Sequence, residues 1–376
     1  MRKGVRRRIA RDRRRRNRRL ALLTAVTALL ASGAGVAWAA DTDLLAGRSD
    51  DAHVAARPHQ PRRHARALGA LQGALLIADR GNDRMLLVNQ AHRVLWRFPT
   101  RWDLRHGVHL NFNDDGFVAA GGRAIVANEE EAHTIVSIDI RTHRRVHLFG
   151  VPGVAGAGAG LLNTPDDAYP LPNGQVEVAD AYNCRVIWVS HHRIVRQLGR
   201  TGVCVHDPPR SFGAVNGDTP LPGGGTLISE IPGHWIDDVT AGGRLLWSVR
   251  APARYPSDPQ LLPDGRILLA DYSRPGRIVI MNRRGRALWS YGPPTGWAAL
   301  DHPSLALRLP DGNIAVNDDF NDRVVVIDPR TKRIVWQYGH RGVGSSRAGF
   351  LRTPDGLDFV PLDGRGRPLW ARVHHP

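Results

Sequence analysis

A short motif returns along this chain about every 48 residues, and no other feature limits the fold as tightly. Residues 78–84 read ADRGNDR, 179–185 read ADAYNCR and 317–323 read NDDFNDR. Looser copies stand at Ala127-Asn128, Ser229-Glu230 and Ala270-Asp271. Each copy follows one apolar run and precedes another. Six copies of one β-rich unit predict an array that closes or stacks.

The last unit shows the plan most fully. It reads HPSLALRL, the turn Pro310-Asp311-Gly312, then NIAVND and a loop through Asn321. RVVVID, the turn Pro329-Arg330-Thr331-Lys332 and RIVWQYG complete it. These are four short strands rich in Val, Ile and Trp, joined by turn residues. Four antiparallel strands per unit make the blade of a β-propeller. The first unit starts at Gly73 with ALLIAD and lacks its leading strand. TPDGLDFVPL, from Thr353, matches TPDDAYPL, from Thr164. The expected fold is therefore an all-β, six-bladed β-propeller closed by the C-terminal strand, which removes the exposed sheet edges. The final stretch, RGRPLWARVHHP, has no place in this scheme.

Ahead of the repeats the composition changes. Of the formal net charge of +17, about +11 sits in residues 1–20, leaving about +6 for the rest. That modest excess does not call for nucleic acid as a partner. Residues 1–19 read as an Arg-rich cytoplasmic region. Residues 20–40 are apolar and read as a signal peptide, with Ala37-Trp38-Ala39 as the cleavage site, or as a transmembrane anchor. Both readings place the chain beyond residue 40 outside the cytoplasm. Residues 41–68 lack an apolar run and read as a flexible linker. The propeller is expected over 69–376, as a monomer. Export suits a disulfide between the two cysteines, Cys184 and Cys204.

The pattern D-x-x-N-x-R-[VI] after a G-x-[IL]-x-[VA] strand resembles the NHL repeat, a family of six-bladed propellers. Asp79, Asn82 and Arg84 fit it, as do Asp180, Asn183 and Arg185, and Asp318, Asn321 and Arg323. The second, fourth and fifth copies depart from it. The Trp near the end of several units (Trp96, Trp247, Trp289, Trp336) is similar to that of quinoprotein and arylsulfotransferase propellers. The resemblance covers residues 69–362 and implies a fold rather than an activity. The zinc-dependent amidating lyase among NHL propellers implies His after the Pro of several inner-strand starts. Asp166, Ser257, Ser304 and Asp355 stand there instead.

The topology sorts residues by face. One face collects basic turns, with Arg93, Arg141, Arg144, Arg145, Arg193, Arg244, Arg283, Arg284, Arg286, Arg330, Lys332 and Arg333. These read either as solvated turns or as a surface for an anionic membrane or wall polymer. The other face collects acids. There the Asp and Arg of each full motif are expected to hold their own loop. The starts of the innermost strands should ring the mouth of the central channel, bringing together Asp115, Asp167, Asp218, Asp258, Ser304 and Asp355. Like charges crowded at one mouth repel unless a cation joins them or their pKa values rise. An oxygen-rich ring suits Ca²⁺, with Asp115, Asp167, Asp218, Asp258 and Asp355 as ligands. Asp beside Pro or Gly also forms turns, and both readings stand at this point. Long connections carry His106, His109, His206, His302 and His340, from which a transition-metal site is a further alternative.

The expected function is a ligand-binding or scaffold domain, exported or tethered, with a ligand, cation or protein partner at the Asp-lined mouth. One alternative is a Ca²⁺-dependent hydrolase, lyase or lactonase, with His302 or His109 as base. An arylsulfotransferase-like enzyme and a structural envelope protein are the others. No Ser-His-Asp order, phosphate loop or nucleotide fingerprint is present in the sequence.

Overall fold

The computed structural model describes residues 71–231 and 233–373. The Arg-rich region, the apolar segment 20–40 and the linker 41–68 lie outside the described residues. Among those described, no helix is long and apolar enough to cross a membrane.

Among the described residues there are six four-stranded antiparallel sheets. Blade 1 runs β24 (Leu357–Val360), β1 (Ala74–Asp79), β2 (Arg84–Asn89) and β3 (Val94–Phe98). Its inner strand thus comes from the far end of the chain, with Ala74 opposite Val360 and Ile77 opposite Leu357. Blades 2 to 6 each take four consecutive strands. Their inner strands are β4 (Asn113–Val118), β8 (Pro165–Pro170), β12 (Val215–Pro220), β16 (Pro256–Leu261) and β20 (Ala306–Arg308). Alternation along each strand sends apolar side chains to both faces, and adjoining blades share one core. Between blades 1 and 2, for example, Leu76, Met85 and Leu87 pack with Ile125, Val136 and Ile138.

The recurring motif explains how each blade is tied down. Asp79 ends β1, and a single 3₁₀ turn over Arg80–Asn82 follows. Asp83 then takes the left-handed conformation, at φ 52°, and turns the chain into β2. Asp79 accepts from Arg84 Nε at 2.5 Å, from Asn82 Nδ2 at 2.9 Å and from the Arg352 amide at 2.7 Å. Arg84 donates onward to the carbonyls of Ser346 and Phe350 in the connection arriving from blade 6. Asp180 with Arg185 (2.7 Å) and Asp318 with Arg323 (2.6 Å) repeat the device. The structural role expected of the motif is therefore what its contacts show.

Blade 2 obtains its cation differently, whereas blade 5 keeps an Arg opposite its motif Asp. Blade 2 has Thr134 where the motif Arg would stand, and Arg145 reaches from β7 (Arg145–Gly150) to Glu129 at 2.6 Å. Arg145, grouped above with the solvated basic turns, is thus an internal ion-pair partner. In blade 5, Arg277 pairs with Asp271 at 2.9 Å. Cys184 and Cys204 form the expected disulfide, with Cα atoms 5.2 Å apart. The stretch after residue 364 does have a place: Trp370 packs edge-on against Trp96, their ring centres 5.9 Å apart, beside the core shared by blades 1 and 2.

Candidate functional site

The inner strands of blades 2 to 5 do not pair evenly along their length. β-Bulges displace the pairing between Asn113 and Gly116, Pro165 and Ala168, Val215 and Asp218, and Ser257 and Gln260. A bulge adds a residue that the partner strand does not match and re-aims its side chain. Here the bulged positions include Asp114-Asp115, Asp166-Asp167, Asn216-Gly217 and Asp258. They line or underlie a cavity of about 70 Å³ at the channel mouth.

The upper ring consists of Asp114, Asp166, Asn216, Ser257, Ser304 and Asp355, one residue from each blade. Beneath it lie Asp115, Asp167 and Asp258, exposed by 4, 0 and 7%. Two glycines make room for them. A Cβ on Gly356 would meet Asp115 Oδ1 at 2.1 Å, and one on Gly217 would meet Asp258 Oδ1 at 2.9 Å. Asp258 itself holds φ at +42°, a conformation that costs a non-glycine residue energy and needs surrounding structure to maintain it. Below, Phe117 and Tyr169 stack with ring centres 3.9 Å apart and line a smaller cavity of about 30 Å³.

The sequence-based ring needs two corrections. Asp218 is not at the mouth, because the bulge gives that level to Asn216 and Gly217. Asp218 is fully buried farther down the strand, its amide donating to Asp167 Oδ2 at 3.2 Å. Asp355 is at the mouth, but its carboxylate is already engaged by a cation from the protein itself. Arg80 Nη1 lies 2.5 Å from Asp355 and from Asp114, and 3.3 Å from Glu130. Arg80 Nη2 is 3.9 Å from Asp319. Burial pulls the Arg80 guanidinium pKa down, but the charges of Asp355 and Asp114 more than offset this and hold it above its usual value.

Arg80, Glu130, Tyr272 and Asp319 were not among the sequence candidates. All four come directly after a motif carboxylate (Asp79, Glu129, Asp271, Asp318). This position differs in every copy, whereas the structural positions recur in the full ones. That disagreement is the signal by which they could have been found.

The lower carboxylates carry free hydrogen-bonding capacity. Tyr255 OH donates to Asn216 Oδ1 (2.9 Å), Asn216 Nδ2 to Ser257 Oγ (2.9 Å) and Ser257 Oγ to Asp258 Oδ2 (3.2 Å). This relay satisfies one oxygen of Asp258. Its Oδ1 has no partner, and neither do Asp115 Oδ1 and Asp167 Oδ1. Carboxylate oxygens of Asp166, Asp167 and Asp258 lie within 4.8 Å of one another. Burial, reinforced by the neighbouring carboxylates, drives Asp115, Asp166 and Asp258 well above the usual range. Burial likewise lifts Asp167 to about 6, against the hydrogen bonds it accepts, and Glu130 to about 7, against Arg80. Such groups hold protons until a cation displaces them.

The loop histidines do not converge on the mouth. His302 Nδ1 is 2.7 Å from Asp301, and its ring packs against Tyr272 and Phe320, outside the cavity lining. His109 is exposed in the connection before β4. His106 stacks on Trp102 and His340 on Phe350. Among the described residues, no cluster at ligand spacing contains two histidines. His206 meets Glu230 and Asp237 instead.

Fold and site together define a six-bladed β-propeller with a carboxylate-lined channel mouth. The family model of the outer membrane protein assembly factor BamB matches residues 172–352, just under half of the chain. No curated protein sequence matches the chain. Among solved structures, a protein of unknown function from Bacteroides caccae is 18% identical, with a TM-score of 0.52. That alignment covers 76% of this chain and 98% of the other. A chain of the nidogen/laminin complex is 11% identical over 76% of this chain and 97% of its own, also with a TM-score of 0.52. Virginiamycin B lyase from Staphylococcus aureus is 15% identical over 66% of this chain and 77% of its own, with a TM-score of 0.44. At these identities the likeness is one of fold.

Proposed function

We propose that the protein is an extracytoplasmic binding propeller that takes a small cation at its channel mouth, Ca²⁺ being the ion its oxygen donors suit best. The observation that carries this reading is the pair of buried oxygens without hydrogen-bond partners, Asp115 Oδ1 and Asp258 Oδ1, in two residues that line the cavity. Buried carboxylates without partners are costly, and a hard cation compensates them. The ligand set narrows to Asp115, Asp166, Asp167 and Asp258, because Arg80 occupies Asp114 and Asp355. The size of the cavity supports an ion over an organic substrate. About 70 Å³ holds an ion with a water or two, whereas small-molecule pockets run to roughly 300–1,000 Å³. Its lining offers carboxylates, hydroxyls, an amide and one guanidinium, a set rich in the hard oxygen donors a small cation takes.

The reading includes a ring closed by β24 and delivery across the membrane by residues 20–40. The test is the melting temperature of the purified protein in chelator and in a Ca²⁺ series. At a hundredfold excess over Kd, Ca²⁺ should stabilise by about 2.7 kcal/mol. The Asp167→Asn, Asp258→Asn double variant should lose this response. A wild-type protein that neither binds Ca²⁺ in equilibrium dialysis nor shifts its melting temperature would rule the reading out.

A further inference from the structure

Away from the channel, blade 4 breaks the rule that the other five blades keep. In each of those, one buried motif carboxylate meets one guanidinium: Asp79 with Arg84, Glu129 with Arg145, Asp180 with Arg185, Asp271 with Arg277, and Asp318 with Arg323. In blade 4 the motif carboxylate is Glu230, and Trp235 stands opposite it where the Arg belongs. Its partner is His206, whose Nδ1 lies 2.8 Å from Glu230 Oε1.

A second carboxylate has been added. Asp237 lies opposite Ile228 on β14 (Trp235–Val239), two residues past the motif position. The matching residues of the other blades are Leu86, Val136, Ile187, Val279 and Val325. A carboxylate thus stands at a sheet position that is otherwise apolar. Asp237 is fully buried, and its carboxyl meets the Glu230 carboxyl and the Ser248 hydroxyl but no guanidinium. Oxygens of Glu230 and Asp237 and a ring nitrogen of His206 lie within 4.8 Å of one another.

We propose that His206, Glu230 and Asp237 form a second metal site, distinct from the channel mouth, and that it takes a borderline divalent transition ion of the Zn²⁺ type. One imidazole with two carboxylates matches zinc chemistry and makes a neutral centre with Zn²⁺, where the other blades make a neutral ion pair. The surroundings orient the donors. Ser248 Oγ, 3.4 Å from His206 Nε2, turns Nδ1 toward Glu230, and Trp235 stacks on the imidazole at 4.0 Å with Arg250 above it. The Gly213 amide donates to Glu230 Oε2, which aims Oε1 at the centre. His206 retains 24% side-chain exposure, which gives an ion an entry path and leaves a fourth position for water. The bound metal would pin the connection that holds Cys204 to blade 4.

The experiment is equilibrium dialysis of the full chain against Zn²⁺, with bound metal counted by mass spectrometry. His206→Gln and Asp237→Asn are run beside the wild type, and their folding is checked by circular dichroism. Each variant should bind one zinc fewer than the wild type, and Asp258→Asn at the channel mouth should retain that zinc. Cobalt should replace it and show visible absorption that both blade 4 variants lose. If the wild type binds no zinc, Glu230 and Asp237 share a proton and the proposal fails. It fails equally if the folded blade 4 variants keep the full zinc complement. Because calcium is read at other residues, either site can fail without the other.

Discussion

Arg80 Nη1 lies 2.5 Å from the carboxylate of Asp355, joining the 3₁₀ turn of the first motif to the start of the last strand. The same nitrogen is 2.5 Å from Asp114, so one guanidinium bridges blades 1 and 2 at the channel mouth. The protein thereby supplies one cation of its own to a ring of acids, and a second level of acids beneath it remains uncompensated.

Arg80→Met should therefore be severely destabilising. It leaves Asp114 and Asp355 buried, charged and unpaired, and removal of one partner from such a cluster costs about 3–5 kcal/mol. Urea denaturation at neutral pH measures the loss. Repeating it near pH 5 should shrink the deficit, because Asp114, which burial lifts well above the usual range, then takes up a proton. A variant within experimental error of the wild type at both pH values would show that Arg80 does not hold the mouth together.

The channel acids also set the sign of the pH dependence. Unfolded carboxyls titrate near 4, whereas in the folded protein burial lifts Asp167 to about 6 and Glu130 to about 7. Between these values the folded state binds more protons than the unfolded chain, so stability falls as pH rises. In chelator, the melting temperature should drop from pH 5 to pH 8. Calcium should offset the fall at the upper end, where it replaces the departing protons. A melting temperature that climbs over this range would contradict the buried-acid account.

Much of this was legible in the sequence, and the part that was not has a physical reason. Asp79, Arg84, Asp318 and Arg323 recur in register, so the motif's role in holding each loop could be read from its period alone. Arg80, Glu130, Tyr272 and Asp319 occupy a motif position that changes from blade to blade, and a search for similarity passes over them. Asp218 was assigned one level too high because β-bulges shift the inner strands, and no local residue pattern announces a bulge. His206 reaches Glu230 from a long connection, and Asp237 sits among strand residues that read as apolar core. Their meeting is a tertiary contact with no signature in spacing.

Burial should grade the motif ion pairs. Arg323 and Asp318 are both fully buried, and Arg323 also donates to the Ala299 and Trp297 carbonyls. Arg323→Leu strands both the acid and those carbonyls, at about 3–5 kcal/mol. Arg277 keeps 42% of its side chain in solvent, and Asp271 retains the amides of Arg254 and Tyr255. Arg277→Leu should accordingly cost about 1–3 kcal/mol. Chemical denaturation of the two variants in parallel tests the ranking, and equal losses would mean that the motif's hydrogen bonds, not burial of its charges, set the energy.

The strand β24 makes the last expectation the most direct test of the ring. Its Leu357 is 1% exposed and packs in the core between blades 1 and 6, while its backbone pairs with β1. Leu357→Ala should cost about 2–5 kcal/mol, as buried leucines do. Trp370, half-buried on the flank of blades 1 and 2, should cost less when changed to Ala. Truncation after residue 363 keeps the strand and should leave a cooperative melt. Truncation after residue 352 strips β1 of its inner partner, leaving β2, and exposes a hydrogen-bonding edge beside Leu75 and Ile77, both buried. That shorter chain should aggregate on size exclusion and lose its cooperative transition. If it stayed monomeric and melted like the longer one, β24 would be a passenger and the ring would be held by the other blades alone.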